Sequence, residues 1–100
     1  MNPVLGLDVA SGESKGQIFL DKGKPYGKSF TVLHTRDGLG GFLQLLIDIQ
    51  AMTGQLPMVI LEATGHYHTP VTQFLDEHNY LYIVINPLLS YQAKKVFKLT

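Results

Sequence analysis

The chain has no cysteine. That excludes disulfides, thiolate zinc sites and a cysteine nucleophile, and it fits an intracellular, cytoplasmic protein. Long apolar runs are also missing. None approaches the roughly 18 residues of a membrane span. The N-terminus lacks the basic region and apolar core of a signal peptide, so no membrane partner is expected. Charge is scarce: 16% of residues are charged and the formal net charge is zero. Free-standing nucleic-acid-binding domains are usually basic, so neutrality counts against strong autonomous DNA binding. Gly38, Gly40 and Gly41 suggest a phosphate loop, but neither the GxGxxG nor the GxxxxGK spacing is there. Acids stop at Glu77.

What is present describes one small folded domain over residues 1–100. A hydrophobic fraction of 45% argues against disorder. Val4 to Val9 reads as a strand, apolar and too short for a helix. Ala10-Ser11-Gly12-Glu13-Ser14 is a turn cluster. Gly16 to Leu20 and Tyr26 to Leu33 read as two more strands around the turn at Asp21-Lys22-Gly23-Lys24-Pro25. Their short connections predict an antiparallel meander.

The period then changes from two to 3.6. Leu39, Phe42, Leu43, Leu46 and Ile49 predict an amphipathic helix from about Gly38 to Thr53, capped by Thr35 or Asp37 and left through Gly54. Met58 to Glu62 follows as a strand. A short helix from Thr69 or Pro70 to His78 comes next, capped by Thr69 and ended by Asn79. Leu81 to Ile85 is nearly all apolar, as expected for a strand buried on both faces. Asn86-Pro87 opens a last helix. The order β-β-β-α-β-α-β-α predicts an α/β fold, a ribonuclease H-like mixed five-stranded sheet with helices on both faces. The chain stops in or just after that helix with no polar tail, as expected for the N-terminal fragment of a longer protein.

Two acids interrupt this pattern. Asp8 lies near the C-terminal end of the first strand and Glu62 ends the fourth. Isolated carboxylates in apolar runs are expensive to bury unpaired. Strand ends are where α/β sheets bind ligands. If the two strands are parallel neighbours, both carboxylates enter one crevice, close enough to share a magnesium ion. The plainer reading is that Asp8 is a polar strand end and Glu62 a turn cap.

Gly6-Leu7-Asp8-Val9-Ala10, Glu62-Ala63-Thr64-Gly65-His66-Tyr67 and Val84-Ile85-Asn86-Pro87 with its basic following segment together resemble the N-terminal, RuvC-like domain of DEDD-type insertion-sequence transposases, relatives of the Piv/MooV DNA invertases. The resemblance spans nearly the whole chain. It implies DNA as partner, and a guide RNA in the full-length protein. It also implies that Asp8 and Glu62 are the first two catalytic, metal-holding acids of an Asp-Glu-Asp-Asp tetrad. Two Mg²⁺ ions are the implied cofactor, bound weakly or not at all by the fragment. The other two acids normally follow the basic helix, and this sequence ends before them at Lys98-Leu99-Thr100. The fragment alone is therefore expected to be inactive. The family often has a lysine shortly after the first Asp; here Ser11 or Gly12 stands there, and no role passes to Lys15.

Thr64, Gly65, His66, Tyr67, Lys94, Lys95 and Lys98 are candidate nucleic-acid contacts. Turn residues, loop packing and solvated helix lysines are the simpler explanation of them. The amides of Thr64 and Gly65 are weighed as a phosphate site at the start of a helix. His66 and His68 form a His-x-His pair, but zinc needs further ligands. Two other functions stay open: an ATP-binding module of the actin and sugar-kinase type, and a non-catalytic interaction domain. A homo-oligomer is also open, since apolar surface left uncovered in a fragment favours self-association.

Overall fold

The fold is a computed structural model that describes residues 2–21 and 23–86. Three strands come first: β1 (Val4–Val9), β2 (Glu13–Asp21) and β3 (Lys24–Leu33). They are followed by α1 (Arg36–Thr53), β4 (Met58–Ala63), α2 (Thr69–Glu77) and β5 (Leu81–Ile85). The helix expected after Asn86 lies outside the described residues.

One five-stranded sheet runs in the order β3-β2-β1-β4-β5. β1 pairs antiparallel with β2, and β2 with β3, whereas β1–β4 and β4–β5 are parallel. This is the mixed, ribonuclease H-like arrangement expected from the order of elements. Both crossovers, β3 to β4 through α1 and β4 to β5 through α2, step the same way across the sheet. Right-handed crossovers that step the same way put their helices on the same face. The packing agrees. Phe42, Leu46 and Ile49 of α1 and Val71 and Leu75 of α2 share one core with Leu5, Leu7 and Val9 of β1 and Val59, Leu61 and Ala63 of β4. Each fully buried Leu or Val there is worth about 1.5–3 kcal/mol in area removed from water.

Alternation does the rest. Val4, Gly6 and Asp8 on β1, and Met58, Ile60 and Glu62 on β4, point to the opposite face, and none of them is buried. Among the described elements no helix covers that face, so the helices expected on both faces lie on one face there, and the expected last helix falls outside the described residues.

Local chemistry explains the helix ends. Thr35 is extended and its Oγ1 accepts a hydrogen bond from the Gly38 amide at 3.0 Å, so of the two candidate caps it is Thr35 that serves α1. Gly54 exits in the left-handed conformation, φ 70°, with its amide on the Gln50 carbonyl. Gly38 is required by contact, because a Cβ there would run into the Leu33 carbonyl.

Three expectations need correction. β2 begins at Glu13, inside the expected turn cluster, because the Ala10 amide closes the hairpin onto the Glu13 carbonyl at 2.9 Å. The cap position of α2 is His68, and the Thr69 hydroxyl instead donates back to the His66 carbonyl at 3.0 Å. β5 is not buried on both faces. It is the outer strand of the sheet, and Leu81 and Ile83 remain 57% and 49% exposed on the face that carries Asp8 and Glu62.

Candidate active site

Asp8 and Glu62 are register partners in the parallel β1–β4 pair. They stand side by side on the two strands at the middle of the sheet, at about the 4.8 Å spacing of neighbouring strands. Both are exposed and both belong to the face opposite the helices. The local reason is the pattern iBiBeB in both strands: the same alternation that sends Leu7 and Leu61 into the core sends the next residue out. Like charges directly opposite on neighbouring strands are unfavourable when nothing lies between them.

The row extends further. Lys15 on β2 is the register partner of Asp8, and Thr31 on β3 is the partner of Lys15. Thr31, Lys15, Asp8, Glu62 and Ile85 thus form a line across all five strands. The Lys15 ammonium donates to Thr31 Oγ1 at 3.0 Å and lies 3.6 Å from a Glu13 carboxylate oxygen. A cavity of about 320 Å³ lies over the middle of the row, from Lys15 to Glu62, lined among others by Gly6, Asp8, Lys15, Gln17, Ile60 and Glu62. Gly6 forms its floor, with the Phe19 ring 3.8 Å from where a Cβ would sit. Gln17 stands across from Gly6, where β2 and β3 slip register. Its amide donates to the carbonyls of Tyr26 and Gly27 at 3.2 and 3.3 Å, supplying donors where the ladder is interrupted.

Thr64, Gly65, His66 and Tyr67 follow β4 directly and are all exposed in the turn beyond Glu62. Gly65 holds a φ of 65°, which favours glycine. Since α2 starts only at Thr69, the amides of Thr64 and Gly65 are not at a helix N-terminus, and that route to a phosphate site is withdrawn. His68 is half-buried. No group of three or more His, Cys, Asp or Glu that could hold a metal ion occurs among the described residues, so His66 and His68 acquire no third ligand there. Lys94, Lys95 and Lys98 lie outside the described residues.

Sequence reasoning gave Lys15 no role and did not place it opposite Asp8. Its signal was the alternation of Glu13, Lys15, Gln17 and Phe19 with Ser14, Gly16 and Ile18, hidden because the strand was expected to start later. On the other face of the same strand end, Ser14 is fully buried and hydrogen-bonds His34 Nε2 at 2.7 Å. Burial lowers the His34 pKa below its usual value, against a smaller opposing pull from the Glu13 charge.

A family model described as Transposase, DEDD_Tnp_IS110, matches residues 5–99. The chain belongs to this transposase family. No curated protein matches the chain significantly. Among solved structures, YeaZ from Pseudomonas aeruginosa is 14% identical over 95% of this chain and 49% of its own, with a TM-score of 0.46. Thermus thermophilus RuvC is 12% identical over 85% of this chain and 64% of its own, with a TM-score of 0.48. The Aquifex aeolicus PPX-GPPA enzyme is 12% identical over 86% and 36%, with a TM-score of 0.42. This transposase-family chain spans about half the length of the first of them. No helix among its described residues is long and apolar enough to cross a membrane.

Proposed function

We propose that Asp8 and Glu62 are two acids of a phosphodiester-transfer site that acts on DNA with a divalent cation, Mg²⁺ by donor chemistry. The observation that supports this most directly is the register of Asp8 with Glu62 on the open face of the sheet, in a chain of the transposase family. The donor set fits the ion. Two carboxylates offer hard oxygen ligands on rigid neighbouring strands and leave positions for water and phosphate oxygen. When bound, the cation supplies Lewis-acid stabilisation of the charge that develops at the scissile phosphate. The residues do the rest. Without a cation, Asp8 and Glu62 repel a phosphodiester, so productive contact with DNA is cation-dependent. Their strands fix the backbone positions of both acids before substrate arrives, so only the side chains remain to be ordered.

Two further acids complete the site by the resemblance to this transposase family, beyond the pair seen among the described residues. The chain alone then binds Mg²⁺ weakly and does not cleave DNA; a guide RNA is the partner of the full-length protein in this reading, and a homo-oligomer of the chain alone would form through its uncovered apolar surface.

Calorimetric or paramagnetic titration with Mn²⁺ tests the pair. Asp8→Asn and Glu62→Gln should each weaken binding about tenfold or more, by analogy with the loss of a charged ligand. Unchanged affinity in both variants would overturn the metal assignment. Robust Mg²⁺-dependent cleavage by the 100-residue chain, abolished by Asp8→Ala, would show the acid set to be complete without outside residues. Tight Mg-ATP binding would favour a nucleotide-binding module instead.

A further inference from the structure

The cavity over Asp8 and Glu62 has a third charged wall, and it is basic. Lys15 is the register partner of Asp8 on the other side from Glu62, and it lines the same cavity of about 320 Å³. A lysine placed there has two options. It can pair with Asp8 and compete with a cation, or it can be held aside and serve whatever anion the cation brings. The hydrogen bond to Thr31 at 3.0 Å and the contact with Glu13 at 3.6 Å take the second course. Among the described residues the ammonium makes no ion pair with Asp8 or Glu62.

We propose that Lys15 contacts a DNA phosphate beside the acid pair and sets the register of the backbone across the site. The inference rests on the proposed function for the identity of the acid pair, and not for the phosphate contact itself. Three carboxylates, Glu13, Asp8 and Glu62, occupy this end of the open face. One divalent cation together with Lys15 balances them, so a polyanion meets a neutralised surface. Thr31 and Glu13 hold the side chain in place, which reduces the rotamer entropy lost on contact. The 68% exposure of the Lys15 side chain leaves its remaining donors open to a ligand.

The test separates this contact from the metal site. Binding of the intact protein to a short fluorescent DNA duplex is measured by anisotropy across a salt series, once with EDTA and once with Mn²⁺. Mn²⁺ affinity is measured separately by water-proton relaxation. Lys15→Ala should weaken DNA binding about threefold near physiological salt and lower the slope of log K against log salt by about one. Lys15→Arg should restore both. Mn²⁺ affinity should stay the same or rise in Lys15→Ala, because a neighbouring positive charge is gone. An unchanged salt slope in Lys15→Ala would overturn the proposal. So would a loss of Mn²⁺ affinity in Lys15→Ala as large as that in Asp8→Asn, which would make Lys15 an organiser of the acids. The two failures give different results: if the metal assignment fails, Mn²⁺ leaves DNA binding as it is in EDTA and Asp8→Asn keeps the parent's Mn²⁺ affinity, whereas if the phosphate contact fails, Lys15→Ala keeps the parent's salt slope in Mn²⁺.

Discussion

Ser14 and His34 tie the start of β2 to the end of β3, and the tie has a pH dependence. Burial lowers the His34 pKa, so the folded chain takes up a proton there less readily than the unfolded chain. The contribution of neutral His34 is full above the ordinary value of about 6.5 and is lost as pH falls through the lowered pKa. Urea midpoints at about pH 7.5 and 5.5 should therefore fall less for His34→Gln than for the parent; an equal fall would remove His34 from the account. Two glycines on the same strand pairs offer a sharper contrast. A Cβ at Gly16 would strike the Phe30 ring and Leu7, whereas one at Gly6 would meet only Phe19 at ordinary contact distance. Gly16→Ala should cost about 1–3 kcal/mol by overpacking. Gly6→Ala should stay within about 0.5 kcal/mol, the usual range for a tolerated change. Denaturant melts of the two variants check both.

At the scale of elements, much was legible because it is written locally. The change of hydrophobic period marked where the meander ends and α1 begins. Thr35 and Gly54 marked the limits of α1, and Thr35→Ala should cost about 1 kcal/mol while Thr35→Ser keeps most of it. What was not legible depends on neighbours. An apolar run such as Leu81 to Ile85 has the same composition in the middle of a sheet as at its edge. Only the strand order shows that β5 has β4 on one side. The start of β2 was missed because Gly12 and Ser14 have turn chemistry, yet Ser14 is buried against His34. Lys15 was given no role, since its place opposite Asp8 comes from the strand pairing and not from any spacing along the chain. The Asp8–Glu62 pair was foreseeable only as a condition: two acids at matching points of two strands, provided the strands are parallel neighbours.

Across the whole molecule, the sheet separates the buried core from the acid pair. The helices and the buried core residues share one face, while Asp8, Glu62 and Lys15 share the other with exposed apolar residues such as Leu81 and Ile83. Leu46→Ala, in the core, should destabilise by about 2–5 kcal/mol. Asp8→Asn should be neutral or slightly stabilising, because it removes a like charge beside Glu62. Thermal melts read the difference, and a large loss from Asp8→Asn would mean that the carboxylate supports the fold. The parallel register of β1 with β4 has one more consequence, for how such a chain tolerates length change. The acids are aligned by the ladder between their strands and not by the segment that joins them. The hairpin at Gly23 and the exit at Gly54 can therefore lengthen without moving one carboxylate relative to the other. A single residue inserted within β1 or β4 would turn its acid toward the helices and a core leucine toward solvent. Drift in this lineage should accordingly accumulate as insertions at those two turns and be purged from the two central strands.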